Sequence, residues 1–231
     1  MVDRDAAPAY SIVWALIAAL IGTAGFCGLV IAGGFGAGGG ADPRLAWILT
    51  PVFCAPLVIY LAIRGRLRAG GIIVLLLGLT AIHFAAIATA SATYKHPTDK
   101  SLFQMLDTHA ERLAHEKEWR QRYDLGRRTA LRAGLEAGAI GGLASLVLLL
   151  PFGRAFRRPR SLIVAGAGAA TLTALGGFGL SGRLPGDMSP AEFALRLFAP
   201  WQAVLGLTLA VLFAAHRPGS SKDSPAAKAT I

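Results

Sequence analysis

The chain has 231 residues, of which 54% are hydrophobic and 16% are charged, and its formal net charge is +10. Soluble domains carry about 25% charged and about 45–50% apolar residues, so this composition excludes an ordinary soluble globule and a disordered chain. Both cysteines lie inside apolar runs with no Cys-X-X-Cys or Cys/His spacing, which excludes a disulfide scaffold. The composition is typical of a helical membrane protein.

Six apolar stretches are long enough to cross a bilayer, because about 20 mostly apolar residues span about 30 Å of hydrocarbon as a helix. We therefore predict an all-α integral membrane protein, a bundle of six transmembrane helices that forms a single domain over residues 1–216. Aromatic residues close to the span ends, among them Tyr60 and Trp201, are predicted to lie at the membrane interface. The predicted spans cover residues 10–33, 46–63, 70–91, 133–152, 161–180 and 197–215.

The turns after the second and fourth spans are short and rich in arginine. Because basic loops stay in the cytoplasm, they predict cytoplasmic turns with both termini on the same side. The basic charge is then a topology signal, and no nucleic-acid partner is predicted. The short basic loops favour a bacterial cell inner membrane, and residues 217–231 are predicted to form a disordered cytoplasmic tail. The arginines are Arg64, Arg66, Arg68, Arg154, Arg157, Arg158 and Arg160.

An amphipathic extramembrane helix is predicted between spans three and four, over about residues 102–124. It follows a capping box at Ser101–Gln104 and is predicted to end at Gly126, a residue type that favours helix C-termini. A second capping box, Ser189–Glu192, predicts a short helix that runs into the sixth span.

One face of the outer helix carries Glu111, His115 and Glu118 at helical spacing. These residue types could bind zinc or copper. A solvated face with i,i+4 ion pairs such as Glu116–Arg120 explains the same pattern, and we favour it.

Small residues recur at four-residue spacing in several spans. Lipid offers apolar side chains nearly the same environment as a neighbouring helix, so helices in bilayers associate through close backbone approach at small residues. We predict that Gly134, Gly138 and Gly142 form a tight seam, either inside a compact monomer, between copies in a homo-oligomer, or against other membrane proteins. The outer helix is a second predicted docking surface. Further small residues at this spacing are Ala24, Gly28 and Ala32 in the first span, and Ala165, Ala169, Thr173 and Gly177 in the fifth.

Ionisable residues within spans are functional candidates, because their insertion costs about 2.5–3.5 kcal/mol or more. His83, in the third span, could relay protons, bind a quinone or act as a single axial haem ligand, or it could be a neutral imidazole bonded inside the bundle. Glu136 lies just inside the fourth span, four residues after Arg132, and is either a cation or proton acceptor or a neutralised interface carboxylate. Pro56 is predicted to kink the second span.

The motifs HExxH, GxSxG and GxxxxGK[ST] are absent, so no catalytic residue is predicted. No cofactor is predicted either, although the histidines leave haem or a metal open. The first, second, fifth and sixth spans have no charged residue in their cores. The sequence favours a non-enzymatic subunit or assembly factor of a larger membrane complex. The alternatives are a small-solute or ion transporter that uses His83 and Glu136, and an intramembrane redox or lipid-modifying enzyme.

Overall fold

A computed structural model describes residues 11–32, 43–94, 109–181 and 189–215, without the side chains of residues 43–50, 109–115, 118, 119, 122, 190 and 193. Within these ranges the chain is almost entirely helical and forms no strand. The predicted tail, 217–231, and the predicted capping box at 101–104 lie outside the described residues. The helices are α1 (Ile12–Ala32), α2 (Pro43–Ile63), α3 (Ala69–Thr93), α4 (His109–Val147), α5 (Pro159–Ser181), α6 (Pro190–Phe193) and α7 (Ala199–Ala215).

Five helices in the described part of the chain are long and apolar enough to cross a membrane. In the described residues this confirms the predicted all-helical fold, and the five helices are compatible with a membrane-spanning bundle. The helix α2 contains Pro51 and Pro56, and its apolar part, Pro51–Ile63, is shorter. The five long segments are Ile12–Ala32, Ala69–Thr93, Tyr123–Phe152, Pro159–Ser181 and Ala194–Ala215.

The helix α4 differs from the prediction. It continues for 39 residues through Gly126, so the predicted helix end at that glycine is wrong, and the outer helix and the fourth span form one helix. A glycine inside a helix costs only about 1 kcal/mol relative to alanine, and no proline follows to stop the helix. Gly126 is also buried, and its carbonyl accepts a hydrogen bond from Thr129 Oγ1 at 2.9 Å. The helix ends at Val147, before 3₁₀ turns at Leu150–Phe152 and Arg154–Arg157.

Contacts at one end of the bundle bring the described chain ends and both arginine-rich turns together. The Tyr60 hydroxyl accepts a hydrogen bond from Ser11 N (3.0 Å) and donates one to Ser11 O (2.8 Å), so α1 begins where α2 ends. A Cβ on Gly71, at the start of α3, would lie 3.1 Å from Phe152 Cε1. The Phe152 ring is 6.3 Å from that of Phe213, near the end of α7. We call this side the arginine end.

The helices α4 and α5 pack backbone against backbone. A Cβ on Gly134 would overlap the carbonyl oxygen of Gly176, and a Cβ on Gly138 would lie 2.6 Å from Leu172 O. Gly142 faces the same helix. The predicted small-residue seam therefore lies within the chain and is covered by α5.

The capping box at Ser189 is confirmed. Ser189 N donates to Glu192 Oε2 at 3.1 Å, and Glu192 N donates to Ser189 Oγ at 3.2 Å. The short helix α6 that it starts leads into a π-helical turn, Ala194–Phe198, and then into α7. Such wide turns are uncommon and often occur near functional sites.

Candidate functional site

The buried polar side chains of the described residues include no Asp, Glu, Lys or Arg. Most are hydroxyls that donate to a backbone carbonyl of their own segment, as Ser and Thr do in apolar helices. Thr80 donates to Leu76 O at 2.8 Å, and Ser145 donates to Gly141 O at 2.6 Å. His83 and Gln202 are the buried polar groups that are not hydroxyls. Among the described side chains these buried polar groups are Thr23, Thr80, His83, Ser145, Ser161, Gln202 and Thr208.

His83 lies in an aromatic enclosure between α1, α3 and the last membrane segment, and it is only 4% exposed. Its ring centroid is 5.6 Å from that of Phe26 and 5.8 Å from that of Phe198. Trp201 stacks on the imidazole, with centroids 5.8 Å apart and an angle of 11° between the planes. His83 therefore helps to pack three helices together.

Trp201 lies about two turns after Ala194, the first residue of the last apolar segment. Its predicted place at the membrane interface stays a prediction. Trp201 is 7% exposed, and a Cβ on Gly141 of α4 would lie 2.5 Å from its Cζ2 atom. Glycine at this position lets the indole fit between α4 and His83.

Gln202 was missed by reasoning that considered only ionisable residues inside spans. It is fully buried, and neither amide atom has a hydrogen-bond partner among the described residues. Burying an unpaired amide costs about 1–3 kcal/mol by protein mutational data. The sequence feature that could have identified Gln202 is a carboxamide side chain inside an apolar stretch.

Glu136 holds the end of α3 against α4. It accepts hydrogen bonds from Arg132 Nε at 2.7 Å and from Thr93 Oγ1 at 2.8 Å. Thr93 follows His83 by ten residues, or about 15 Å along α3. The two predicted site residues therefore lie at different depths and do not form one site.

The side chains of Glu111, His115 and Glu118 lie outside the described residues, although their backbone belongs to α4. Among the described side chains, no group of three or more His, Cys, Asp or Glu could hold a metal ion. The neighbouring Arg120 Nε donates to Glu116 Oε1 at 3.1 Å, which is the ion pair expected of a solvated face.

The helix α4 extends well beyond its neighbours. Its 39 residues are about 58 Å long, whereas the hydrocarbon core of a bilayer is about 30 Å thick. The end of α3 reaches Glu136 through Thr93, and Gly177, near the end of α5, lies against Leu131. Residues 109–122, which we call the α4 extension, precede the apolar segment Tyr123–Phe152 and continue beyond these described contacts for about 21 Å.

No family model matches the chain, and neither a curated protein nor a solved structure matches it.

Proposed function

We propose that this chain is a non-enzymatic multi-pass protein of the bacterial inner membrane, a subunit or assembly factor of a larger complex that it contacts through the α4 extension. The observation that carries this proposal is the continuity of α4. A separate amphipathic helix could lie flat on the membrane. A helix continuous with a packed membrane segment instead holds its charged part outside the bilayer, in a fixed relation to the bundle.

The proposed topology has six spans, with both termini in the cytoplasm. The described chain ends lie together at the arginine end, which supports an even number of crossings. Five long apolar helices and α2, which spans 21 residues antiparallel to α1, supply six. Arginine-rich turns at that end support its cytoplasmic orientation.

The scarcity of polar groups in the described interior supports a subunit better than a transporter or an enzyme. Transport pathways expose polar or charged groups along an interior path. In the described part of the bundle, no charged side chain is buried. Glu136 is held at the bundle edge, about 15 Å along the helix axis from the level of His83.

Site-specific photo-cross-linking in native membranes tests the proposal. A photoreactive residue is introduced at Lys117, Arg120 or Gln121, which are exposed on the α4 extension. Matched controls go to Leu143 and Ile163, which are 57% and 70% exposed on the apolar surface of the bundle. We expect discrete heavier protein adducts at the extension and lipid adducts at the controls. The absence of protein adducts at all three extension positions would refute the docking role.

A further inference from the structure

The two arginine-rich turns form one basic surface. The contact of Gly71 with Phe152 places the turn between α2 and α3 beside the turn between α4 and α5. Seven arginines lie on residues 60–70 and 148–161, and neither stretch contains an Asp or a Glu. Their positive charge is therefore not neutralised within these turns.

Some of these arginines contact other groups of the protein, and others are exposed to the surroundings. The Arg64 guanidinium lies over the Tyr60 ring at 5.4 Å, and Arg157 Nε donates to Leu150 O at 3.3 Å. Arg68 and Arg158 are exposed, one on each turn. The surface thus combines positioned guanidinium groups with outward-facing ones.

Exposed apolar side chains next to the two turns show where this basic surface lies relative to the bilayer. Ile63, directly before Arg64, is 70% exposed. Leu162 and Ile163, directly after the second turn, are 50% and 70% exposed. Exposed apolar side chains belong in the hydrocarbon, so the neighbouring guanidinium groups lie at the level of the lipid headgroups.

We propose that the arginine end is a binding site for anionic phospholipids, with guanidinium groups from both turns holding headgroup phosphates. A topology signal needs only positive charge, which lysine supplies equally well. All seven basic residues here are arginine, whose planar fork donates two parallel hydrogen bonds to a phosphate. Basic pockets at membrane surfaces select anionic headgroups in this way.

The test titrates the full-length protein in an uncharged detergent with phosphatidylglycerol or phosphatidylcholine of the same acyl chains, and follows thermal unfolding. Phosphatidylglycerol should raise the midpoint, and phosphatidylcholine should not. The variant R68Q/R158Q should bind phosphatidylglycerol about 25-fold more weakly, at about five-fold for each arginine lost. The control R127Q/R128Q removes two exposed arginines from α4, at the other end of the bundle, and should bind like the wild type.

The charge-preserving variant R68K/R158K keeps the test valid if the glutamine variant does not fold. It should bind more weakly than the wild type, and equal binding would overturn the role of the arginine fork. Equal stabilisation by both lipids, or equal weakening by R127Q/R128Q and R68Q/R158Q, would overturn the site. An equal rise in midpoint with inorganic phosphate alone would overturn the assignment to lipid.

Discussion

Replacing Gly134 with alanine places a methyl group in the closest part of the α4–α5 seam. The new Cβ would overlap the carbonyl oxygen of Gly176 and lie 2.5 Å from its carbonyl carbon. Both are backbone atoms, so the two helices must separate to admit it. Overpacking of this kind costs about 1–3 kcal/mol, and alanine recovers up to about 1 kcal/mol of helix propensity. We expect a net loss of about 1–2 kcal/mol in the free energy of unfolding.

Gly28 provides the matched control. It also lies inside a long apolar helix, is exposed, and has no atom within 4 Å of an added Cβ. The variant G28A gains the same helix propensity without a clash, so it should be neutral or more stable by up to about 1 kcal/mol. The difference in the free energy of unfolding between the two variants therefore measures the cost of the clash in the α4–α5 seam.

Denaturation in mixed micelles, with sodium dodecyl sulfate added stepwise and helix content followed by circular dichroism, measures this difference. G134A should unfold at a lower denaturant fraction than G28A, and G138A should also be destabilised, because its Cβ would lie 2.6 Å from Leu172 O. If G134A is as stable as G28A, then α4 and α5 do not pack through these glycines.

Three further variants are informative. Q202M replaces the fully buried amide, which has no partner among the described residues, with an apolar side chain of similar size. It should raise the free energy of unfolding by about 1–3 kcal/mol in the same assay, and a decrease would show that the amide is hydrogen-bonded. E136Q removes the carboxylate charge that Arg132 contacts at 2.7 Å. It should lower the thermal unfolding midpoint, and the decrease should be smaller at high salt because salt screens the ion pair. A decrease of the same size at low and high salt would contradict the ion-pair explanation. S189A removes the helix-capping hydroxyl of Ser189, which accepts a hydrogen bond from Glu192 N. It should lower the free energy of unfolding by about 1 kcal/mol. An unchanged unfolding midpoint would show that the cap does not stabilise the fold.

Hydropathy was sufficient to place most of the membrane helices, because an apolar stretch of about 20 residues has few stable alternatives in a bilayer. It could not decide whether α4 is one helix or two. Gly126 is a residue that can end a helix or be tolerated inside one, and the outcome depends on tertiary packing around it. The capping box at Ser189 was predictable because all of its hydrogen bonds are local.

The candidate site was only partly predictable. His83 was identified because an ionisable group in an apolar span is conspicuous, but its neighbours come from α1 and from the last membrane segment. Their proximity depends on which helices are neighbours and how each is rotated about its axis, and a hydropathy pattern does not determine either.

The most direct test of the docking role is the mass and composition of the assembly that mild detergent extracts from the protein's own membranes. Native mass spectrometry should find the 24.0 kDa chain together with a different protein in a fixed ratio. Exchanging exposed charges on the α4 extension, as in K117E/R120E, should release that partner while the chain stays folded. Recovery of the chain alone, or only with further copies of itself, would contradict the proposed function.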